Sequence, residues 1–213
     1  KPPMKTAAWQ RATPAKAFKV ESPEELLALH ERLGGVAPVV IAQEWIEGGE
    51  SELYSCNCYY GRDGRPLATF VARKLRQWPP ETGTSSLGEE VRDDAVLAAT
   101  RQLFEAVGYR GLGYVETKRD ARTGRHVVIE PNVGRPTGRS AIAEAGGVEL
   151  LYTMYCDAAG LPLPEARVQR YAGARWIYFR HDLQAALYAW RGGRLTLREW
   201  ARSWRGRKAE AVF

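Results

Sequence analysis

HVVIEPNVGR, residues 126–135, decides how the chain reads. An apolar run of strand character ends in Glu130. Asn132 follows two residues later, and Arg135 and Arg139 come close behind. A loop that merely turned the chain would need none of these groups. Leu112–Lys118 precedes as a second strand-like run, joined through residues 119–125, with Gly124 placed to take the left-handed conformation that glycine tolerates. Alternation puts Tyr114, Glu116 and Lys118 on one face of the first strand, and His126, Val128 and Glu130 on one face of the second. One allowed register sets Glu116 opposite Glu130.

Glu116, Glu130 and Asn132 are all oxygen ligands. Magnesium takes one or two carboxylates together with phosphate oxygens, and a Glu-x-Asn at a strand end beside a second carboxylate supplies that set. Taken alone, Glu130 reads as a strand-end surface acid and Asn132 as a turn residue.

Outward from this hairpin the chain alternates strands and helices. Two runs rich in aromatic and β-branched residues, Leu53–Tyr60 and Pro66–Arg73, flank an Asp63-Gly64 step and predict another hairpin. Residues 77–88 read as loop and 89–107 as an amphipathic helix. Upstream, Ser22-Pro23-Glu24-Glu25 starts a helix that runs to Leu33. Val39–Ala42 reads as a short buried strand, and residues 1–17 as loop. Downstream, helices are expected at 140–144, 148–159, 182–190 and 197–204, with a strand at 175–179.

The chain has 213 residues, 45% hydrophobic and 26% charged, the composition of a globular protein. Nowhere does it carry the roughly 20 apolar residues that span a bilayer. Cys56, Cys58 and Cys156 form no C-x-x-C pair. Cys56 and Cys58 alternate onto one strand face and read as buried thiols rather than metal ligands, which suits a cytoplasmic location. The net charge of +6 is uneven: residues 161–213 hold 11 Lys+Arg against 4 Asp+Glu. This basic quarter, with Trp190, Trp200 and Trp204 among its arginines, reads as a segment docking on the preceding domain. A nucleic-acid or anionic-membrane surface is the rival reading.

With these pieces in order, the sequence resembles the ATP-grasp superfamily over residues 1–160. The resemblance implies an α+β fold with a largely antiparallel sheet, helices packed on one side, and the site in a cleft between lobes. It implies that Lys1, in Lys1-Pro2, faces the nucleotide phosphates. The linker Ile41-Ala42-Gln43-Glu44-Trp45-Ile46 would bind adenine, with Gln43, Glu44, Trp45 and Ile46 as contacts. Glu50 would accept from the ribose hydroxyls, with Glu52 as the alternative. Glu116, Glu130 and Asn132 would bind magnesium, as two ions for which manganese could substitute. Candidates to neutralise phosphate charge are Lys1, Lys16, Arg73, Lys74 and Arg76. Alternation turns only one of Arg73 and Lys74 to the cleft, and Lys74 is the expected one, with Arg76 on its face.

Many members read Glu-x-Asn-x-Arg. Here Gly134 stands at the arginine position, so the resemblance leaves that role to Arg135 or Arg139, either suited to bidentate contact with carboxylate or phosphate. The implied activity is ATP-dependent ligation, in which a small-molecule carboxylate is phosphorylated and then attacked by an amine or thiol. Residues 161–213 lie outside the match. An N-terminal domain that family members carry ahead of Lys-Pro is expected to belong to the same protein, so the substrate pocket would be incomplete here. A kinase-like member that stops at the acylphosphate and a regulatory nucleotide-binding module are the rival readings.

Overall fold

Ser22 and Pro23 start a helix where the sequence expects one. The computed structural model describes residues 1–13, 15–134, 138–205 and 207–210, and of 138, 139 and 207–210 the backbone only. Residues 1–45 and 46–213 form two compact units. In the first, Thr6 caps α1 (Ala7–Ala12) and Ser22 caps α2 (Pro23–Leu33), its hydroxyl accepting from the Glu25 N–H at 3.2 Å. Trp9, Leu33 and Ala37 are buried together, with Phe18 and Leu29 against them. The buried strand expected at Val39–Ala42 is absent. Val39 is 64% exposed, and Ile41 exchanges backbone hydrogen bonds with Lys1 alone. A single bridged pair does not make a ladder, and this apolar run has no second strand to bury against among the described residues of its unit.

The second unit is built on one sheet. Its strands are β1 (Leu53–Tyr60), β2 (Pro66–Trp78), β3 (Thr84–Glu90), β4 (Gly111–Arg119), β5 (His126–Val133), β6 (Ala174–Ile177) and β7 (Arg207–Glu210). They lie in the order β5-β4-β1-β2-β3-β6-β7, all antiparallel except the β6–β7 pair. Gly64 closes the β1–β2 turn with a φ of 78°, and Gly124 serves the β4–β5 turn with a φ of 70°, the glycine conformations that the sequence predicts.

Both faces of the central strands carry apolar side chains, so helices cover both, where one covered face was expected. On one face α3 (Asp94–Ala106) lays Val96 and Phe104 over Tyr54, Cys56, Cys58, Tyr60, Val71 and Val115. On the other, α4 (Gly138–Ala145) and α5 (Leu150–Ala159) bring Ile142, Ala143 and Leu150 onto Tyr59, Phe70, Ala72 and Leu112. All three cysteines are free and buried, and burial pushes the Cys56 thiol up to about 12; such a thiol is unreactive near neutral pH. The chain continues with α6 (Phe179–Arg191) and α7 (Leu197–Arg202). Among the described residues, no helix is long and apolar enough to cross a membrane.

Of the loop expected at 77–88 only residues 79–83 remain, since β2 runs on to Trp78 and β3 takes up 84–88 together with two residues of the expected helix. Ser85, Ser86 and Gly88 have weak strand propensity, but β2 and β6 flank this stretch and satisfy its backbone. Its Glu89 lies between Arg73 and Arg175, 3.2 Å from the latter. The following helix starts only at Asp94, where Asp93 caps it by accepting from the Val96 N–H at 3.0 Å.

Gly146, after α4, gives a direct test of the packing. A Cβ there would stand 2.3 Å from a ring carbon of Phe70, a fully buried side chain. Gly146→Ala is expected to destabilise the unit by about 1–3 kcal/mol, the usual cost of overpacking a filled core. Urea unfolding of the two proteins measures it; an unchanged midpoint would show that the ring moves freely.

Candidate active site

Past the apolar floor under α4, the second sheet face turns polar. The row Ala72, Ser55, Glu116, Glu130 runs across β2, β1, β4 and β5, each residue directly opposite the next. Glu116 therefore stands opposite Glu130, in the register the alternation allows. Cα atoms of opposed residues lie about 4.5–5.5 Å apart, and like charges in that position destabilise a sheet. Asn132 lies on the same face, opposite Tyr114, and its Nδ2 donates to Glu130 Oε1 at 3.5 Å. That leaves the amide oxygen for another partner.

A cation already answers part of this charge. Lys74 Nζ is 3.4 Å from Glu116 Oε1, with the two side chains 7% and 13% exposed. It also donates to Gln77 Oε1 at 2.9 Å. Gln77, fully buried, donates from Nε2 to Glu50 Oε1 at 3.3 Å, and its backbone N–H reaches Glu50 Oε2 at 3.3 Å. The Glu81 N–H adds a third bond to Glu50, at 3.0 Å. Glu50, Gln77, Lys74 and Glu116 thus form one chain of contacts leading to Glu130 and Asn132. A shallow pocket opens beside it, with Ser55, Lys74, Gly88, Glu116, Ile142 and Trp176 in its lining.

The other sequence candidates fall as follows. Arg73 is held by Glu89, leaving Lys74 as the basic residue that meets the acidic row. Arg76 does not join it. A bulge between Lys74 and Arg76 breaks the alternation, and Arg76 instead grips the buried Asp182 at 2.8 and 2.9 Å. Glu52 turns toward Arg119, at 4.0 Å, while Glu50 faces Gln77.

The division between the units falls at Trp45 and Ile46, inside the stretch read as the adenine linker. Ile46 is buried within the second unit. Gln43 and Glu44 are exposed, and Trp45 carries the Lys19 ammonium 5.5 Å from its ring centroid. Lys1 belongs to the first unit. Arg135 lies outside the described residues, and of Arg139 only the backbone, in the first turn of α4, is described. Gly134 has a φ of 81° with nothing within 4 Å of a would-be Cβ. The glycine there serves a left-handed backbone rather than a close approach.

His126 Nε2 is 3.0 Å from the Asp93 carboxylate that caps α3, a structural placement. Gln77 was missed by sequence reasoning. The only available signal was its position at the end of a strand already carrying Lys74.

Two carboxylates and an amide oxygen form the hard, all-oxygen set that magnesium prefers. The opposed glutamates, with the Asn132 amide beside them, fit a divalent cation on electrostatic grounds. Among the described residues no three His, Cys, Asp or Glu side chains form a cage of their own.

No family model matches the chain, and no curated protein does. Solved structures do. N5-carboxyaminoimidazole synthetase from Staphylococcus aureus, complexed with ADP, superposes with a TM-score of 0.51 at 15% identity over 68% of this chain. N5-carboxyaminoimidazole synthase from Aspergillus clavatus, in complex with ADP and 5-aminoimidazole ribonucleotide, does so with a TM-score of 0.50 at 14% identity over 70%. The fold is the ATP-grasp fold, an α+β architecture on a largely antiparallel sheet. The chain spans 38% and 39% of the lengths of these two proteins.

Proposed function

We propose that this chain is the magnesium–nucleotide-binding part of an ATP-dependent ligase that activates a carboxylate as an acylphosphate and joins it to an amine. The observation that carries the reading is the opposed pair Glu116 and Glu130, with Asn132 beside them and Lys74 against Glu116. Paired acids on a rigid sheet cost stability unless a cation uses them. The ATP-grasp fold supplies the context, and proteins with this fold include the two ADP-bound synthetases named above.

In this reading Glu116, Glu130 and Asn132 would hold magnesium, which would supply charge neutralisation for the nucleotide phosphates. Lys74 faces the transferring phosphoryl oxygens, and Glu50 accepts from the ribose hydroxyls. The substrate carboxylate oxygen attacks the γ-phosphorus and ADP leaves. An amine then attacks the acyl carbon, the C–O bond to phosphate breaks, and the amine's proton passes to solvent. Arg135 or Arg139 would hold the acyl phosphate. Positioning and electrostatics do most of the work in such transfers, so no nucleophilic side chain is required.

Calorimetric titration with a non-hydrolysable ATP analogue, with and without magnesium, tests the site. Binding is expected only with magnesium. In Glu130→Gln it should weaken about tenfold or more, because losing a charge-assisted contact costs about 1.5–3 kcal/mol. Equal binding by the variant would remove Glu130 from the metal site. A longer form of the protein that also failed to bind would sink the nucleotide reading.

A further inference from the structure

We infer that Gln77 is the positioning residue of this site, a relay that couples occupancy of Glu50 by a nucleoside's hydroxyls to the hold on the Lys74 ammonium. The inference rests on the magnesium–nucleotide reading and goes beyond it by assigning a role to a residue that touches neither metal nor phosphate.

The amide can point only one way. An ammonium has donors and no acceptor, and an ionised carboxylate has acceptors and no donor. Lys74 Nζ therefore requires the Gln77 oxygen, at 2.9 Å, and Glu50 takes the Gln77 NH₂, at 3.3 Å. A flipped amide would set NH₂ against an ammonium and C=O against a carboxylate. Burial of Gln77 at 1% exposure denies it water as a substitute partner and makes each lost bond costly. The residue type follows from the same constraint. Glutamate would add a negative group between Glu50 and Glu116, lysine a second cation beside Lys74, and leucine would serve neither neighbour.

The coupling follows from counting acceptor sites on Glu50. A carboxylate offers about four lone-pair directions. Gln77 N, Gln77 Nε2 and Glu81 N take three of them. The two hydroxyls of a ribose bring two donors to a carboxylate with one direction left. Full engagement of the ribose therefore displaces the weakest of the bonds in place. Gln77 Nε2 and Gln77 N are the longest, both at 3.3 Å, and only the side-chain bond can yield without moving the strand. When Nε2 lets go, the Oε1 contact that ties Lys74 back loosens. The ammonium, still within 3.4 Å of Glu116 Oε1, then has one tie fewer holding it from the phosphates of the nucleotide whose ribose displaced it. A polyphosphate without ribose would leave Lys74 tied to Gln77.

The test is a cycle of ligands and variants, read by calorimetry in magnesium. The ligands are β,γ-methylene-ATP and its 2′,3′-dideoxy counterpart. In the otherwise unaltered chain, Lys74→Met should weaken the ribose ligand at least about fivefold more than the dideoxy ligand, the lower range of ordinary site-to-site coupling. In a Gln77→Met background, whose side chain keeps nearly the same length and shape, the loss from Lys74→Met should be equal for the two ligands. Glu50→Gln breaks the relay at its other, half-exposed end and should equalise the losses in the same way, which covers the case in which Gln77→Met fails to fold. Equal losses in the unaltered chain, or a difference that persists in both backgrounds, overturns the relay while nucleotide binding itself stands. Failure of the unaltered chain to bind either ligand overturns the nucleotide reading and the relay with it.

Discussion

Asp182→Ala is expected to lower the stability of the second unit by about 3–5 kcal/mol, the cost of breaking a buried ion pair from one side. For a chain of this size that corresponds to a fall in melting temperature of roughly 6–20 °C. Asp182 is fully buried at the first turn of α6. Its carboxylate takes both arms of the Arg76 guanidinium, the Trp200 indole N–H at 2.8 Å and the Trp204 indole N–H at 3.3 Å. Removing it strands the Arg76 charge, which is 11% exposed, and leaves two indole donors without this acceptor. Asp182→Asn should be nearly as damaging, since its amide would present donors to donors. The double replacement Arg76→Leu with Asp182→Leu should recover much of the loss, because no charge is then left buried. Thermal unfolding of the four proteins measures the cycle. Additive losses would mean that the pair does not act as a unit.

That cluster also shows what a single sequence hides. Arg76 read as a phosphate contact because it follows Lys74 by two positions on an apparent strand. One bulge at residue 75 was enough to reverse the assignment, and its partner lies 106 residues away. The interleaved arginines and tryptophans near the C-terminus read as a docking segment with an anionic surface as the rival, and Trp200 and Trp204 both turn their N–H groups inward to Asp182, a partner that the sequence alone does not reveal. β3 was illegible for a related reason. Its serines and glycine carry no strand signal of their own, and the ladder comes from neighbours distant in sequence.

The acidic row was legible in part: alternation allows a register with Glu116 opposite Glu130 and the structure has it, but a shift just beyond that pair sets Thr117 against Val128, so Val128 and His126 do not share the face of Glu130 as alternation predicts. Gln77 could not be found that way. A glutamine has no charge to betray it, and its role depends on Glu50 and Lys74 arriving at its two ends. Gly134 falls between these cases: the sequence marks the departure from an arginine pattern, and only the positive φ explains why glycine is there.

Lys74→Met should separate the two cations that the glutamate pair can use. Lys74 is the charge within 3.4 Å of Glu116, and methionine fills a similar volume without it. Phosphoryl transfer by the whole protein is expected to fall about 10²–10³-fold, the usual loss when one preorganised electrostatic donor is removed. Stability should respond in a second way. Without the ammonium, Glu116 and Glu130 repel across β4 and β5 with less to offset them, so the variant should melt below the unaltered chain in metal-free buffer. Magnesium alone, with no nucleotide present, should then raise the variant's melting temperature more than it raises that of the unaltered chain. A ligand that binds only the folded state stabilises it in proportion to the logarithm of its saturation, and the variant's site carries one positive charge fewer to oppose the metal. Melting curves over a magnesium series, with calcium as the larger ion for comparison, read this directly. If magnesium shifted both proteins equally, the opposed glutamates would be a pair that Lys74 helps to hold together with no part for the metal. A larger shift in the variant would mean that the sheet keeps two acids face to face because lysine and metal share them.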